Sequence, residues 1–183
     1  MTSEEKSVII NHIVFFILPV FLPPTTYLSH WEPTKERGCT MEIAIIAHDT
    51  KKELMAQFCI AYCGILSKHN LCATAGTAKY ISEATGLHFE ILMSGSQGGE
   101  EQVASRVAYG EIDVLLDFRD TREKANINMA EAKLLRMCDL HNIPVATNIA
   151  TAEVIIAALD RGDLDWRELL NPRSAYNRKK QTV

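Results

Sequence analysis

MEIAIIAHDTKKEL, residues 41–54, is the stretch that decides the fold. The run 41–47 is apolar almost throughout, the pattern of a strand buried on both faces. A polar HDTKK follows at 48–52, in which Asp49 or Thr50 is suited to cap a helix. Leu54, Phe58, Ala61 and Ile65 then recur at helical spacing and predict its buried stripe. The same alternation repeats toward the C-terminus. LCATA (71–75) predicts a second strand, and the helix after it, through Tyr80 and Ile81, stops at Gly86. FEILM (89–93) predicts a third strand, then a glycine-bearing loop and a helix carrying Val103 and Val107. IDVLLDF (112–118) and IPVAT (143–147) predict two more strands, with helices over 129–141 and 151–159. Strands alternating with helices of this length predict an α/β fold: a three-layer, doubly wound, Rossmann-like parallel sheet covered on both faces.

Ligands of such sheets bind outside the carboxyl ends of the strands. The residues that fall there are His48 and Asp49, Gly76 and Thr77, Ser94 and Gly95, Arg119 and Asp120, and Asn148. All are polar or glycine, so this edge is equipped for chemistry.

Composition narrows the class. A chain of 183 residues suits one domain, and 47% hydrophobic with 23% charged residues is ordinary for a globular protein. The formal net charge of −4 argues against a nucleic-acid-binding surface. Cys39, Cys59, Cys63, Cys72 and Cys138 follow no zinc or disulfide spacing and read as core thiols of a reducing compartment, which places the protein in the cytoplasm. The segment VIINHIVFFILPVFLPP (8–24) is interrupted by Asn11, His12 and Pro19 and falls short of the about 20 residues that a membrane span needs. MTSEEKS before it lacks the cationic start of a secretory signal. Residues 1–40 are therefore expected to be an extension without stable membrane association, and residues 41–183 the domain.

Two loops are suited to an anion. TAGTAK (74–79) and SGSQGG (94–99) each follow a strand and precede a helix, so their amides point at a common crevice. Thr74, Thr77 and Ser94 add hydroxyls, and Lys52 supplies a full positive charge. Neither loop matches GxGxxG or GxxxxGK[ST], which argues against a dinucleotide or a nucleoside triphosphate. Glu100 and Glu101 come directly after the second loop. Glu100 has two readings: a helix-start charge that favours the dipole, or a general base beside a bound phosphate ester. Glu101 points about 100° away around the helix, toward solvent. His48 stands where an imidazole can polarise a carbonyl, and Asp49 and Asp120 where carboxylates can orient hydroxyls or hold a proton.

AHDTKK (47–52), ATAGT (73–77), SGSQGGEEQ (94–102), IDVLLDFRD (112–120) and NIPVATNIATAE (142–153) resemble the methylglyoxal synthase family, from about Met41 to Ile156. The resemblance implies the fold of that family and conversion of dihydroxyacetone phosphate to methylglyoxal and inorganic phosphate, with no metal or organic cofactor, in a homo-oligomer that is usually hexameric. It implies a phosphate cradle of Lys52, Thr74, Ala75, Gly76, Thr77, Ser94 and Gly95. It puts Glu100 at the base position, His48 against the substrate, and Asp49 and Asp120 as further carboxylates of the site. The chain departs from the family in several places. Glu100 replaces an aspartate, and Gly76 a threonine whose amide is retained. Ile127 and Ala130 stand where the family carries a histidine and an aspartate that move protons, with Asn126, Asn128 and Glu131 nearby as stand-ins. Arg178, Lys179 and Lys180 approximate an arginine that reaches a neighbouring subunit's phosphate. These departures support an alternative, a freestanding module that binds a small phosphorylated ligand as a regulator without turnover.

Overall fold

The structure, a computed structural model, describes residues 39–120, 129–174 and 177–178. Almost all of the expected N-terminal extension lies outside the described residues, as do Asn126, Ile127, Asn128, Lys179 and Lys180. Five strands follow the sequence pattern: β1 (Glu42–Ala47), β2 (Asn70–Thr74), β3 (Glu90–Leu92), β4 (Val114–Phe118) and β5 (Val145–Ala146). Among the described residues six α-helices connect or follow them: α1 (Lys52–Ala61), α2 (Cys63–Leu66), α3 (Ala75–Thr85), α4 (Gly99–Ala108), α5 (Met129–Leu140) and α6 (Ile149–Arg161). The strands pair in parallel in the order β3-β2-β1-β4-β5. The chain winds outward from β1 in one direction and then returns to wind outward from β4 in the other. The crevice at such a reversal lies beyond the carboxyl ends of β1 and β4.

Side-chain alternation along the strands divides the core into two layers. Ile43, Ile45 and Ala47 of β1 and Val114, Leu116 and Phe118 of β4 pack with Met55, Phe58, Ala78, Ile81, Ile155 and Ile156 from α1, α3 and α6. Ala44, Ile46 and Leu115 pack on the other face with Val103, Ala104 and Val107 of α4 and Leu134 and Cys138 of α5. Burying one such aliphatic side chain stabilises the fold by about 1.5–3 kcal/mol, so the two layers supply most of the driving force. The polar member of the opening strand, Glu42, is buried too, where Asn70 Nδ2 donates to it at 2.6 Å.

The helix ends follow local chemistry. Gly86 closes α3 and Gly162 closes α6 with φ of 73° and 75°, left-handed values that suit glycine. Asn148 caps α6 by accepting from the Thr151 amide at 3.0 Å. Three expectations need correction. Neither Asp49 nor Thr50 caps α1: a 3₁₀ turn over Asp49–Lys51 intervenes, and His48 is its N-cap. The buried stripe of α1 is Met55, Ala56, Phe58 and Cys59, so of the expected four only Phe58 is fully buried. Leu54 and Ile65 pack partly against the core and Ala61 is exposed. The physical reason is a break at Tyr62, beyond which α2 starts in a new phase, with Phe58 held between Tyr62 and Phe118 at ring distances of 4.9 and 5.8 Å. Ala75, expected to end a strand, instead opens α3.

All five cysteines are free, and burial pushes the thiols of Cys59, Cys72 and Cys138 up to about 12, as expected of inert core thiols. Among the described residues no helix is long and apolar enough to cross a membrane.

Candidate functional site

The reversal point is tied together by short polar links. The His48 amide donates to Phe118 O at 3.0 Å, which joins the carboxyl ends of β1 and β4. Thr50 Oγ1 donates to Asp120 Oδ2 at 2.7 Å and lies 3.1 Å from His48 Nδ1. Thr50 thus couples His48 to Asp120, a role that the sequence did not single out. Asp49 meets Lys52 Nζ at 2.6 Å, and the Lys52 ammonium holds this exposed carboxyl below the usual carboxylate range.

Lys52 lies at the start of α1, yet its ammonium reaches α3. A Cβ built on Gly76 would stand 2.8 Å from Lys52 Nζ, so the glycine leaves room for the amine against the first turn of α3. The unpaired amides of that turn carry partial positive charge. A cation at a helix N-terminus is electrostatically unfavourable until an anion joins it. Within the turn, Thr74 and Thr77 are buried at 6% and 1% exposure. Thr74 Oγ1 donates to Thr77 Oγ1 at 3.1 Å, and Thr77 Oγ1 donates to Ala47 O at 3.4 Å. These hydroxyls fasten the turn to the end of β1 and fix where its amides point.

The second turn is built around Ser94, which donates to Gln97 Oε1 at 2.9 Å. Gly98 takes φ of 91° and starts α4, whose Gln102 side chain accepts from the Met93 amide at 2.9 Å. Gly99 is the contact between the two turns. A Cβ there would lie 2.3 Å from Met93 O, 2.9 Å from Thr74 Cγ2 and 3.0 Å from Ser94 O. No side chain fits, so the backbone immediately before Glu100 is pressed against the first turn. Glu100 is half-buried and Glu101 exposed, as the helical angle between them requires.

Sequence reading missed Asp117. It follows Leu115 on the α4/α5 face of β4, opposite Ile46 in register, and is 4% exposed. Its carboxyl has no hydrogen-bond donor among the described residues. It is pushed up to about 7, mainly by burial, then by the negative charge of Glu131, with Arg119 opposing and Glu100 adding to the rise. Arg119 Nη1 pairs with Glu131 Oε1 at 2.6 Å beside it. The available signal was an acid at an inward position of IDVLLDF, a strand that has to be buried on both faces. Ala130 falls in the first turn of α5, next to Glu131. Arg178, the described member of the C-terminal basic group, is exposed.

The site can therefore bind an anion between two amide-bearing turns and a lysine, with carboxylates and an imidazole around it. The sequence pattern of the MGS-like domain matches residues 55–147. The methylglyoxal synthase of Caldicellulosiruptor saccharolyticus is 54% identical over 138 residues, covering 75% of this chain and 98% of that protein. The methylglyoxal synthase of Oceanobacillus iheyensis is 48% identical over 133 residues, covering 73% of this chain and 95% of that protein. Among solved structures, methylglyoxal synthase from Elizabethkingia anophelis superposes with a TM-score of 0.60 at 34% identity, over 64% of this chain and 78% of that one.

Proposed function

The chain belongs to the methylglyoxal synthase family, and we propose that residues 41–183 convert dihydroxyacetone phosphate to methylglyoxal and inorganic phosphate as a carbon–oxygen lyase. The observation that carries this reading is the packing of Gly99 against Thr74, Met93 and Ser94, which joins the two amide turns and leaves Glu100 at their seam.

The division of labour follows from charge. The amides of Ala75, Gly76 and Thr77, the turn at Ser94 and Gly95, and the Lys52 ammonium receive the phosphate. Phosphate binding relieves the clash between Lys52 and the α3 dipole. Asp49 neutralises Lys52 without the phosphate and yields it to the stronger anion. With the phosphate fixed, Glu100 faces the carbon beside the carbonyl and takes its proton: the C–H bond breaks, an O–H bond forms on Glu100, and the electron pair moves onto the carbonyl oxygen. His48, held by Thr50 and Asp120, stands where it can stabilise that oxygen. The terminal hydroxyl then passes its proton to the central oxygen, and the pair left on the terminal oxygen forms the aldehyde C=O as the carbon–oxygen bond to phosphate breaks and phosphate leaves on the groups that held it. The enol so formed loses its hydroxyl proton and gains one on its CH2 carbon, which gives methylglyoxal. The extra methylene of Glu100 is accommodated because Gly99 sets the backbone of α4 deep between the turns. We extend the proposal to a cytoplasmic homo-oligomer, hexameric as the family resemblance implies, with phosphate as product and effector.

Purified protein incubated with dihydroxyacetone phosphate is expected to release methylglyoxal and phosphate in equal amounts. Glu100→Gln lowers kcat by roughly 10²–10⁴-fold with KM little changed, because the amide keeps the shape but cannot take a proton. Phosphate binding without product in the unaltered chain would overturn the enzyme reading and leave the regulatory module, the reading that Ala130 favours.

A further inference from the structure

Thr50 belongs neither to the anion turns nor to the acid–base groups of the scheme above, yet it touches two of those groups at once. The Lys51 amide donates to His48 O at 2.8 Å, and this 3₁₀ turn brings Thr50 back to the His48 ring. The Thr50 hydroxyl has a single proton and donates it to Asp120 Oδ2 at 2.7 Å, the length of a charge-assisted bond. Toward His48 Nδ1, 3.1 Å away, Oγ1 has only lone pairs left, so the ring nitrogen has to be the donor. The Thr50 amide also points at Nδ1, but from 3.4 Å, and this longer contact asks for the opposite role. The shorter contact, reinforced by the carboxylate behind it, sets the tautomer. His69 supplies the contrast: its Nδ1 accepts from the Met41 amide at 3.3 Å, which puts the proton of the neutral ring on Nε2.

We propose that Thr50 is a positioning residue that acts through His48: by donating to Asp120 and accepting from Nδ1–H, it keeps one proton on Nδ1 and leaves Nε2 as the nitrogen that exchanges a proton with the substrate. The inference rests on the reading of the chain as a synthase with His48 against the substrate oxygens. Nε2 then carries the transfer between those oxygens. The terminal O–H bond breaks, an Nε2–H bond forms, and the imidazolium gives that proton to the central oxygen, so His48 ends as it began. The Nδ1 proton stays in place throughout, and Thr50 and Asp120 gain and lose nothing. While the ring is positive, Asp120 stabilises it through the Thr50 hydroxyl. Ile127 and Ala130 have no ionisable group, so in this chain the transfer needs a carrier from elsewhere, and the ends of β1 and β4 supply it.

Two measurements test this, one of them without turnover. Long-range ¹H–¹⁵N correlation of the full chain labelled in histidine, at about pH 9 where imidazoles are neutral, reads which ring nitrogen bears the proton. His48, assigned by the signal lost in His48→Asn, is expected as the Nδ1–H form and His69 as the Nε2–H form. Thr50 is exposed, so Thr50→Val removes the hydroxyl without emptying a packed site. The variant is expected to return His48 to the Nε2–H form, and Thr50→Ser to keep it as Nδ1–H. In kinetics with dihydroxyacetone phosphate, Thr50→Val lowers kcat by roughly 10–100-fold with KM little changed, and Thr50→Ser restores most of the rate. An Nε2–H ring in the unaltered chain, a tautomer unmoved by Thr50→Val, or an unchanged kcat in that variant overturns the proposal. An Nδ1–H ring in a chain without synthase activity upholds the hydrogen-bond assignment and overturns only the reaction it was assigned to.

Discussion

Asp113 stands just before β4 and Asp117 near its far end, and both are buried, at 2% and 4% exposure. Burial pushes both carboxyls up. At Asp113 the loss of water is answered at one oxygen: Oδ2 accepts from the Glu42 amide at 2.9 Å and from Asn171 Nδ2 at 2.7 Å, while Oδ1 has only the charge of Arg167. The equally buried Arg167 stands 3.7 Å away and donates to Asn142 O at 2.8 Å. Behind this set, Arg106 is buried among Glu42, Glu90 and Glu111 at 3.7, 3.1 and 3.3 Å. The amino edge of the sheet is thus an ionic network in which opposite charges face each other, held more by charge than by hydrogen bonds. At the carboxyl edge Asp117 has like-charged neighbours and no donor among the described residues. The difference teaches where function lies: a buried acid with matched partners holds strands together, whereas one with mismatched partners keeps a titration within reach of neutral pH.

Three changes break or sharpen this contrast. The largest effect is expected at the amino edge. Asp113→Ala strips the partners from Arg167 and Asn171 and leaves a buried guanidinium uncompensated, lowering unfolding free energy by about 3–5 kcal/mol in chemical denaturation. A loss below about 1 kcal/mol would mean that the amino-edge network is decorative and the contrast unfounded. Gly99→Ala comes next, since its methyl group meets backbone oxygen at 2.3 Å and must push the two turns apart. A stability loss of roughly 1–3 kcal/mol is expected, with a larger proportional loss of phosphate affinity by calorimetry. Retained affinity would detach Gly99 from the anion site. The smallest effect is expected at Asn148, which sits at the carboxyl edge but whose side chain caps α6. Asn148→Ala costs about 1 kcal/mol by thermal melting, the loss of a helix cap, and shows that position on the ligand edge does not by itself confer chemistry.

The apolar run 41–47, the alternation of strands and helices after it and the glycines at 86 and 98–99 made the parallel sheet and the two strand-to-helix turns on its edge legible. The half-buried place of Glu100 in the first turn of α4 and the exposure of Glu101 were legible because helical angle is a local property. Thr50 was not, because its bond to Asp120 spans 70 positions of the chain. The α1 stripe was misplaced for a similar reason: the break at Tyr62 and the aromatic packing of Phe58 on Phe118 set its phase, and neither is a periodicity.

Local order along the chain determined which segments became strands, which residues stand at their carboxyl ends, and which loops offer amides, since each depends on neighbours within a few residues. Tertiary structure alone decided that Lys52 reaches Gly76, that Gly99 locks one turn onto the other, and that Asp117 lies buried near the charge of Glu100. Those facts depend on distances between segments remote in sequence, and on water being excluded once α4 and α5 close over the sheet.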